Sequence, residues 1–307
     1  MSTSLTSGDK GLTGTMDSFF PLFKVIYKLT DSPEAIQRAV ELTLEEFWED
    51  GCYYLELRST PRANVGMTQD AYIEAILHGI ASIKERIPRM IVKLILSMDR
   101  RMTLEECTQI MDLAQKYAHR GVVGLDLCGD PRAGSVDTIV SVVKKAKERT
   151  PKNVKLTVHL GEIQEEGKET ENEALLALHP DRIGHGTFLN HASKLHLSTK
   201  GIPLEICMSS NVFCKTVKSY ADHHFKDYQV DEHPCILCTD DKGIFQCSLS
   251  GEYALAAKTF GMSFDGLFEL SRRSIAHIFS DEATKEALFK EWDAWKSSRP
   301  ASDQKRN

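Results

Sequence analysis

Residues 154–186 read VKLTVHLGEIQEEGKETENEALLALHPDRIGHG, and this stretch decides the fold. Val154 to Val158 is a short β-branched run that ends at His159. Glu169 to Leu178 has helical spacing, and Arg182-Ile-Gly-His185 is a second short strand. Two strands joined by a helical crossover pair in parallel. The alternation continues on both sides. Cys52 to Ser59, Met90 to Met98 and Gly121 to Leu127 read as strands upstream, and Pro203 to Cys207 and Cys235 to Thr239 downstream. Helices are expected over Asp17 to Leu29 and from Pro33 to Gly51, with Ile36, Val40 and Leu44 on one face. Further helices are expected from Thr68, from the capping box Thr103-Leu-Glu-Glu106, over Val136 to Lys147, and from Gly251 onward.

Seven strands alternating with helices predict an α/β barrel of the TIM (β/α)8 type that lacks one strand, since closure needs eight. No Gly-rich phosphate fingerprint follows an early strand, which disfavours an open doubly wound sheet. The gap is expected at the N-terminus, where a polar stretch runs straight into helices. The expected organisation is a flexible segment over 1–15, an incomplete barrel domain over 16–297, and a frayed tail over 298–307.

The 307 residues are 41% hydrophobic and 27% charged, with a formal net charge of -6. There is no Lys/Arg-rich block before the end, so a nucleic-acid surface is not expected. No apolar run nears the roughly 20 residues that span a bilayer, and Met1 to Thr15 has no signal-peptide pattern. Eight cysteines in a chain this long read as reduced thiols, and a cytoplasmic monomer is expected.

In a parallel barrel the C-terminal strand ends converge on one mouth. Polar residues stand at nearly all of these ends: Arg58 to Arg62, Asp99, Gly129-Asp130, His159 with Glu162, His185, Ser209 to Asn211, and Asp240-Asp241. Singly, each has a plain explanation as a strand cap, a turn or a solvated loop. Together they mark a reactive mouth. Two adjacent acids at Asp240-Asp241 repel unless a cation or a proton is near. Pro234-Cys235-Ile-Leu-Cys238 matches a fragment of the cytidine-type zinc motif, but His159 and Glu162 have the wrong spacing for it, so these cysteines read as core.

Val158-His-Leu-Gly-Glu162, Arg182-Ile-Gly-His-Gly186 and Cys238-Thr-Asp-Asp241, in this order, resemble the adenosine and AMP deaminase family. Leu55-Glu-Leu-Arg-Ser-Thr-Pro-Arg62, Ser97-Met-Asp-Arg100, Gly124-Leu-Asp-Leu-Cys-Gly-Asp-Pro131 and Ser219-Tyr-Ala-Asp-His-His-Phe225 look like its adenosine deaminase-like branch, which acts on N6-methylated AMP. The resemblance runs from about Phe19 to Trp295. It implies a metal-dependent hydrolase barrel that removes the C6 amine of a purine nucleoside or nucleotide. It further implies that His159 and Asp240 bind one Zn2+, that Glu162 donates a proton to the ring, and that His185 orients the attacking hydroxide. Asp241 and Gly129 would hold the purine. Ser59, Thr60, Pro61, Arg62 and Asp99 would contact the substrate, with Arg62 near the phosphate.

The family also places a His-x-His on its first strand. None of the eleven histidines here has another two positions away, and Tyr27 stands where the branch has a His. Catalytic zinc usually keeps three protein ligands plus water, so weak metal binding and poor catalysis are expected. A truncated gene product or alternative transcript would explain the gap. A noncatalytic purine-binding or interaction protein, and another hydrolase of the same barrel acting on cyclic amides, are the competing readings.

Overall fold

Thr103 accepts from the backbone of Glu106, and the Glu106 carboxylate accepts from the backbone N–H of Thr103. The expected capping box therefore opens a helix in the computed structural model of the chain. Residues 15–149, 151, 153–230 and 232–298 are described. The expected N-terminal segment (but for Thr15) and the C-terminal tail beyond Ser298 lie outside them.

The strands are β1 (Tyr54–Ser59), β2 (Ile91–Asp99), β3 (Val122–Cys128), β4 (Lys155–Leu160), β5 (Arg182–His185), β6 (Leu204–Ile206) and β7 (Cys235–Leu237). The first helices are α1 (Met16–Leu29), α2 (Pro33–Glu49), α3 (Gln69–Ser82), α4 (Leu104–Tyr117), α5 (Val136–Arg149) and α6 (Lys168–Ala177). Then follow α7 (His191–Lys200), α8 (Met208–Phe213), α9 (Phe225–Val230), α10 (Lys242–Phe245), α11 (Leu249–Phe260), α12 (Phe264–Ser274) and α13 (Glu282–Ser298). Helices α7 to α10 were not anticipated. Helices α8 to α10 have six residues or fewer, too short for periodicity to mark them, and α7 buries only Ser193 and Leu197, which leaves no apolar stripe to read.

The seven strands form one sheet in chain order β1 to β7, and every pairing is parallel. Among the described residues β1 pairs only with β2 and β7 only with β6. The sheet is a curled, incomplete barrel with two free edges, as the strand count implied. A closed barrel has no edge to manage, whereas this one exposes unpaired backbone groups at β1 and β7. Every residue of β1 is only half-buried, while β2 and β3 are largely buried.

The outer helices seal the sheet. Ile36, Val40, Leu44 and Phe47 are the buried stripe of α2, spaced three to four residues apart as a helix face requires. They pack on α3, whose Ile73 and Ile76 are buried. The two helices approach closely at Gly79, where an added Cβ would lie 2.9 Å from the Gln37 carbonyl oxygen and 3.0 Å from Val40.

Gly79→Ala is therefore expected to destabilise the fold. Alanine gains about 1 kcal/mol in helix propensity, but overpacking against a backbone oxygen costs roughly 1–3 kcal/mol. A urea midpoint equal to or above that of the parent chain would refute the close approach.

Candidate active site

Arg182 on β5 donates to Glu205 on β6 (Nε to Oε1, 2.9 Å) and to Glu56 on β1 (Nη2 to Oε2, 2.5 Å). Arg58 on β1 donates to the other oxygen of Glu205 (2.7 Å), and its Nε lies 3.8 Å from Asp126 on β3. Asp126 in turn holds Nδ1 of His159 on β4 at 2.9 Å. Burial raises the affinity of Glu205 for a proton, but Arg58 and Arg182 outweigh it and hold the carboxyl well below its usual range. These six charged or titratable groups run through the barrel interior from the base toward the mouth. Phe279 seals the base: its ring lies under the Arg182 guanidinium at 3.6 Å, and its backbone N–H donates to Glu56.

At the mouth, His159 is the penultimate residue of β4, which ends at Leu160, one position past the expected end at His159. The carbonyl of His159 accepts from Arg100 Nη2 at 3.0 Å, and Arg100 is buried against Glu171 (Nη1 to Oε1, 2.6 Å). With Nδ1 on Asp126, His159 presents Nε2, and that atom faces Arg58 Nη1 at 3.4 Å. Burial lowers the proton affinity of this imidazole and Arg58 lowers it further, but Asp126 outweighs both and pushes His159 up to about 9.

His185 ends β5 with φ 62°, and Asp240 follows β7 with φ 54°. Non-glycine residues are rarely found there, and such strain collects at functional sites. His224 holds the His185 turn by donating from Nε2 to its carbonyl at 2.8 Å. The His185 ring itself is unengaged. Its Nδ1 is buried without a hydrogen-bond partner, and its Nε2 lies 3.8 Å from Glu162 and 3.9 Å from Asp240. Glu162 also has a buried oxygen, Oε1, without a partner. Asp240 Oδ2 accepts from Ser210 Oγ at 2.8 Å. Burial, then the adjacent Asp240, push Asp241 up to about 8, so the acid pair is relieved by a proton. A neutral Asp241 is a hydrogen-bond donor.

The outer residues are held by one another. Ser59 Oγ lies 2.7 Å from the Tyr72 hydroxyl, and Pro61 accepts from Gln69. Thr60 Oγ1 lies 4.0 Å from Cys128 Sγ. Arg62 donates to the Thr30 hydroxyl and carbonyl at 2.7 and 3.0 Å, and its guanidinium lies 4.2 Å over the Tyr27 ring. It thus caps the end of α1, whose last carbonyls lack helical partners. Asp99 is paired with Arg101 through both oxygens, at 2.7 and 2.6 Å. Gly129 has φ 100°, and a Cβ there would lie 2.8 Å from the Asp99 carboxyl carbon, so only glycine fits.

All ten proposed site residues other than Pro61 line one cavity of about 1680 Å3, together with Thr239 and Cys238. Small-molecule pockets usually hold about 300–1,000 Å3. The lining includes Tyr54 and Leu57 of the β1 edge and Leu237 of the β7 edge, with Tyr253. Sequence reading placed Arg58 only among the polar strand-end residues and gave no role to Asp126, Glu205 or His224. Asp126 had a usable signal: an acid between Leu125 and Leu127 in a buried strand needs a partner.

The Adenosine deaminase family model matches residues 10–295. This chain belongs to that family. It is 41% identical over 300 residues to an N6-methyl-AMP deaminase of Danio rerio, covering 94% of this chain and 85% of the relative. The human N6-methyl-AMP deaminase is 40% identical, with 94% and 83% covered. A crystal structure of the Arabidopsis relative complexed with IMP superposes with a TM-score of 0.86 at 36% identity, covering 91% of this chain and 83% of that one. The superposition shows that the chain shares the fold of that relative. No helix among the described residues is long and apolar enough to cross a membrane.

Glu205→Ala is expected to cost roughly 3–5 kcal/mol, because it leaves Arg58 and Arg182 buried with an uncompensated charge. Removing the exposed Asp293 partner of Arg272 should cost about 0–1 kcal/mol. Equal losses in the two variants, read by chemical denaturation, would show that the internal ion chain is not what holds β1 across the barrel.

Proposed function

We propose that this chain takes a purine nucleotide of the N6-substituted AMP class at the barrel mouth and releases its C6 amine by hydrolysis, N6-methyl-AMP to IMP. The supporting observation is the pairing of Glu162 and His185 in one cavity: His185 Nε2 lies 3.8 Å from Glu162 Oε2, and each side chain has a second, buried atom, His185 Nδ1 and Glu162 Oε1, without a hydrogen-bond partner. A buried polar atom without a partner is costly unless a ligand or water satisfies it. Both are carried by motifs of a family whose similar members are N6-methyl-AMP deaminases.

The residues divide the work by chemistry. Asp241, pushed up to about 8 by burial and the adjacent Asp240, donates to a ring nitrogen in its protonated form. Gly129 lets the purine approach the backbone. Glu162 is placed to protonate the ring, which makes C6 electrophilic and contributes typically 10²–10⁴-fold to the rate. His185 orients the attacking oxygen. Ser59, Thr60, Pro61 and Asp99 shape the sugar side. Arg62 contributes a guanidinium fork for phosphate, and it must exchange part of its hold on Thr30 to do so.

In the family reading, zinc supplies the hydroxide, and His159 and Asp240 are its expected ligands here. The residues present do not fit that centre. Two ligands stand where three plus water are usual, and the free nitrogen of His159 faces a guanidinium. The absent His-x-His favours a second reading, a purine nucleotide binder that does not turn over.

Incubation of the purified chain with N6-methyl-AMP is expected to give slow formation of IMP. Glu162→Gln should lower that rate by about 10²–10⁴-fold while IMP still binds by calorimetry. IMP binding with no turnover in the parent chain would establish the second reading, and absence of both would overturn the nucleotide site.

A further inference from the structure

We infer that Asn172 is the positioning residue that sets Glu162 against His185. Asn172 lies in the interior of α6 and is 2% exposed. Asparagine is a poor helix former, and its amide is costly to bury unless it is bonded. Its partners are in the two turns that carry the paired groups. Its Oδ1 accepts from the Gly161 N–H at 3.1 Å, and its Nδ2 reaches the Phe188 carbonyl at 3.5 Å. A donor on one side and an acceptor on the other fix which way the amide faces.

The sheet register explains why a side chain is needed there. The pairing of β4 with β5 ends at Leu160 and His185. Beyond it, Gly186 N–H donates to the Leu160 carbonyl at 3.0 Å, and Phe188 N–H to the Gly161 carbonyl at 2.7 Å. The Gly161 N–H lies past the last strand pair, and Asn172 takes it. Gly161 has φ 67°, and a Cβ there would lie 3.3 Å from the Gly186 Cα, so the two turns meet through their backbones. With both backbone polar groups of Gly161 engaged, the direction in which the chain leaves for Glu162 is set. Glu171, the preceding residue of α6, holds Arg100, which donates to the His159 carbonyl. One turn of α6 therefore braces residues 159–161, and the 3.8 Å approach of Glu162 to His185 rests on that brace. Asn172 does not line the cavity, so it acts through Glu162 and not on a ligand.

The consequence for turnover rests on the deaminase reading, whereas the placement is read in the free chain. Asn172→Leu removes both polar atoms at similar size, and Asn172→Asp keeps the acceptor. Glu173→Ala is the control, because it breaks the exposed bond from Asn190 to the same helix. NMR of the free full chain follows amide exchange at Gly161 and the ring signals of labelled His185. The Gly161 amide of the parent chain is expected to be protected, and exchange at the unprotected rate would overturn the proposal without any variant. In Asn172→Leu, exchange at Gly161 should rise about 10-fold, the worth of one hydrogen bond, and the His185 ring signals should shift. With N6-methyl-AMP, kcat should fall by about 10- to 100-fold at unchanged KM, the scale on which a misplaced reacting group acts. Asn172→Asp should restore all three readings, and Glu173→Ala should leave them at parent values. Circular dichroism establishes that each variant is folded. Unchanged exchange or unchanged His185 signals in folded Asn172→Leu, equal changes in Glu173→Ala, or a loss confined to KM would each refute the placement. The expected NMR changes in a chain without turnover would end the deaminase reading and leave the placement standing.

Discussion

The ion chain Glu56–Arg182–Glu205–Arg58–Asp126–His159 is the constraint on which this molecule depends. A sheet that does not close cannot hold its curvature by a ring of backbone hydrogen bonds. Here the first strand reaches across the interior and is tied by side chains to the third, fifth and sixth strands. Buried charges are stable only when paired, so the curled shape is the geometry in which Arg58 and Arg182 find their acids. The base is finished by Phe279, which stacks on Arg182 and fills the space that Gly124 leaves open.

The same chain shapes the chemistry at the mouth. Asp126 orients His159, as a carboxylate does for a ligating imidazole, but Arg58 then meets the other nitrogen. His185 is left free, buried and flanked by Glu162 and Asp240. The fourth and fifth strands end in neighbouring histidines, with ring centroids 5.2 Å apart, yet only one has atoms to offer.

Much of the fold was legible in the residues. Thr103 to Glu106 announced its helix by capping chemistry, and the alternation of strands and helices gave parallel pairing and the count of seven. The family motifs gave the order of the strand-end residues. Helices α8 to α10 were not legible, because one or two turns do not establish a period, and α7 was not because it buries only Ser193 and Leu197. The ends of β4 were also misjudged: His159 lies within the strand because it pairs with Gly184 across to β5, a fact of register that one strand alone does not carry.

The sequence by itself determined the barrel class, the short strand count, and which polar residues stand at the strand ends. These follow from local periodicity, capping and motif order, all of which are written within a few residues. Only the tertiary structure decided what each polar group faces. Arg58 and His159 are 101 positions apart, and Glu205 is 147 from Arg58. Whether His159 or His185 has a free nitrogen depends on those long-range pairings.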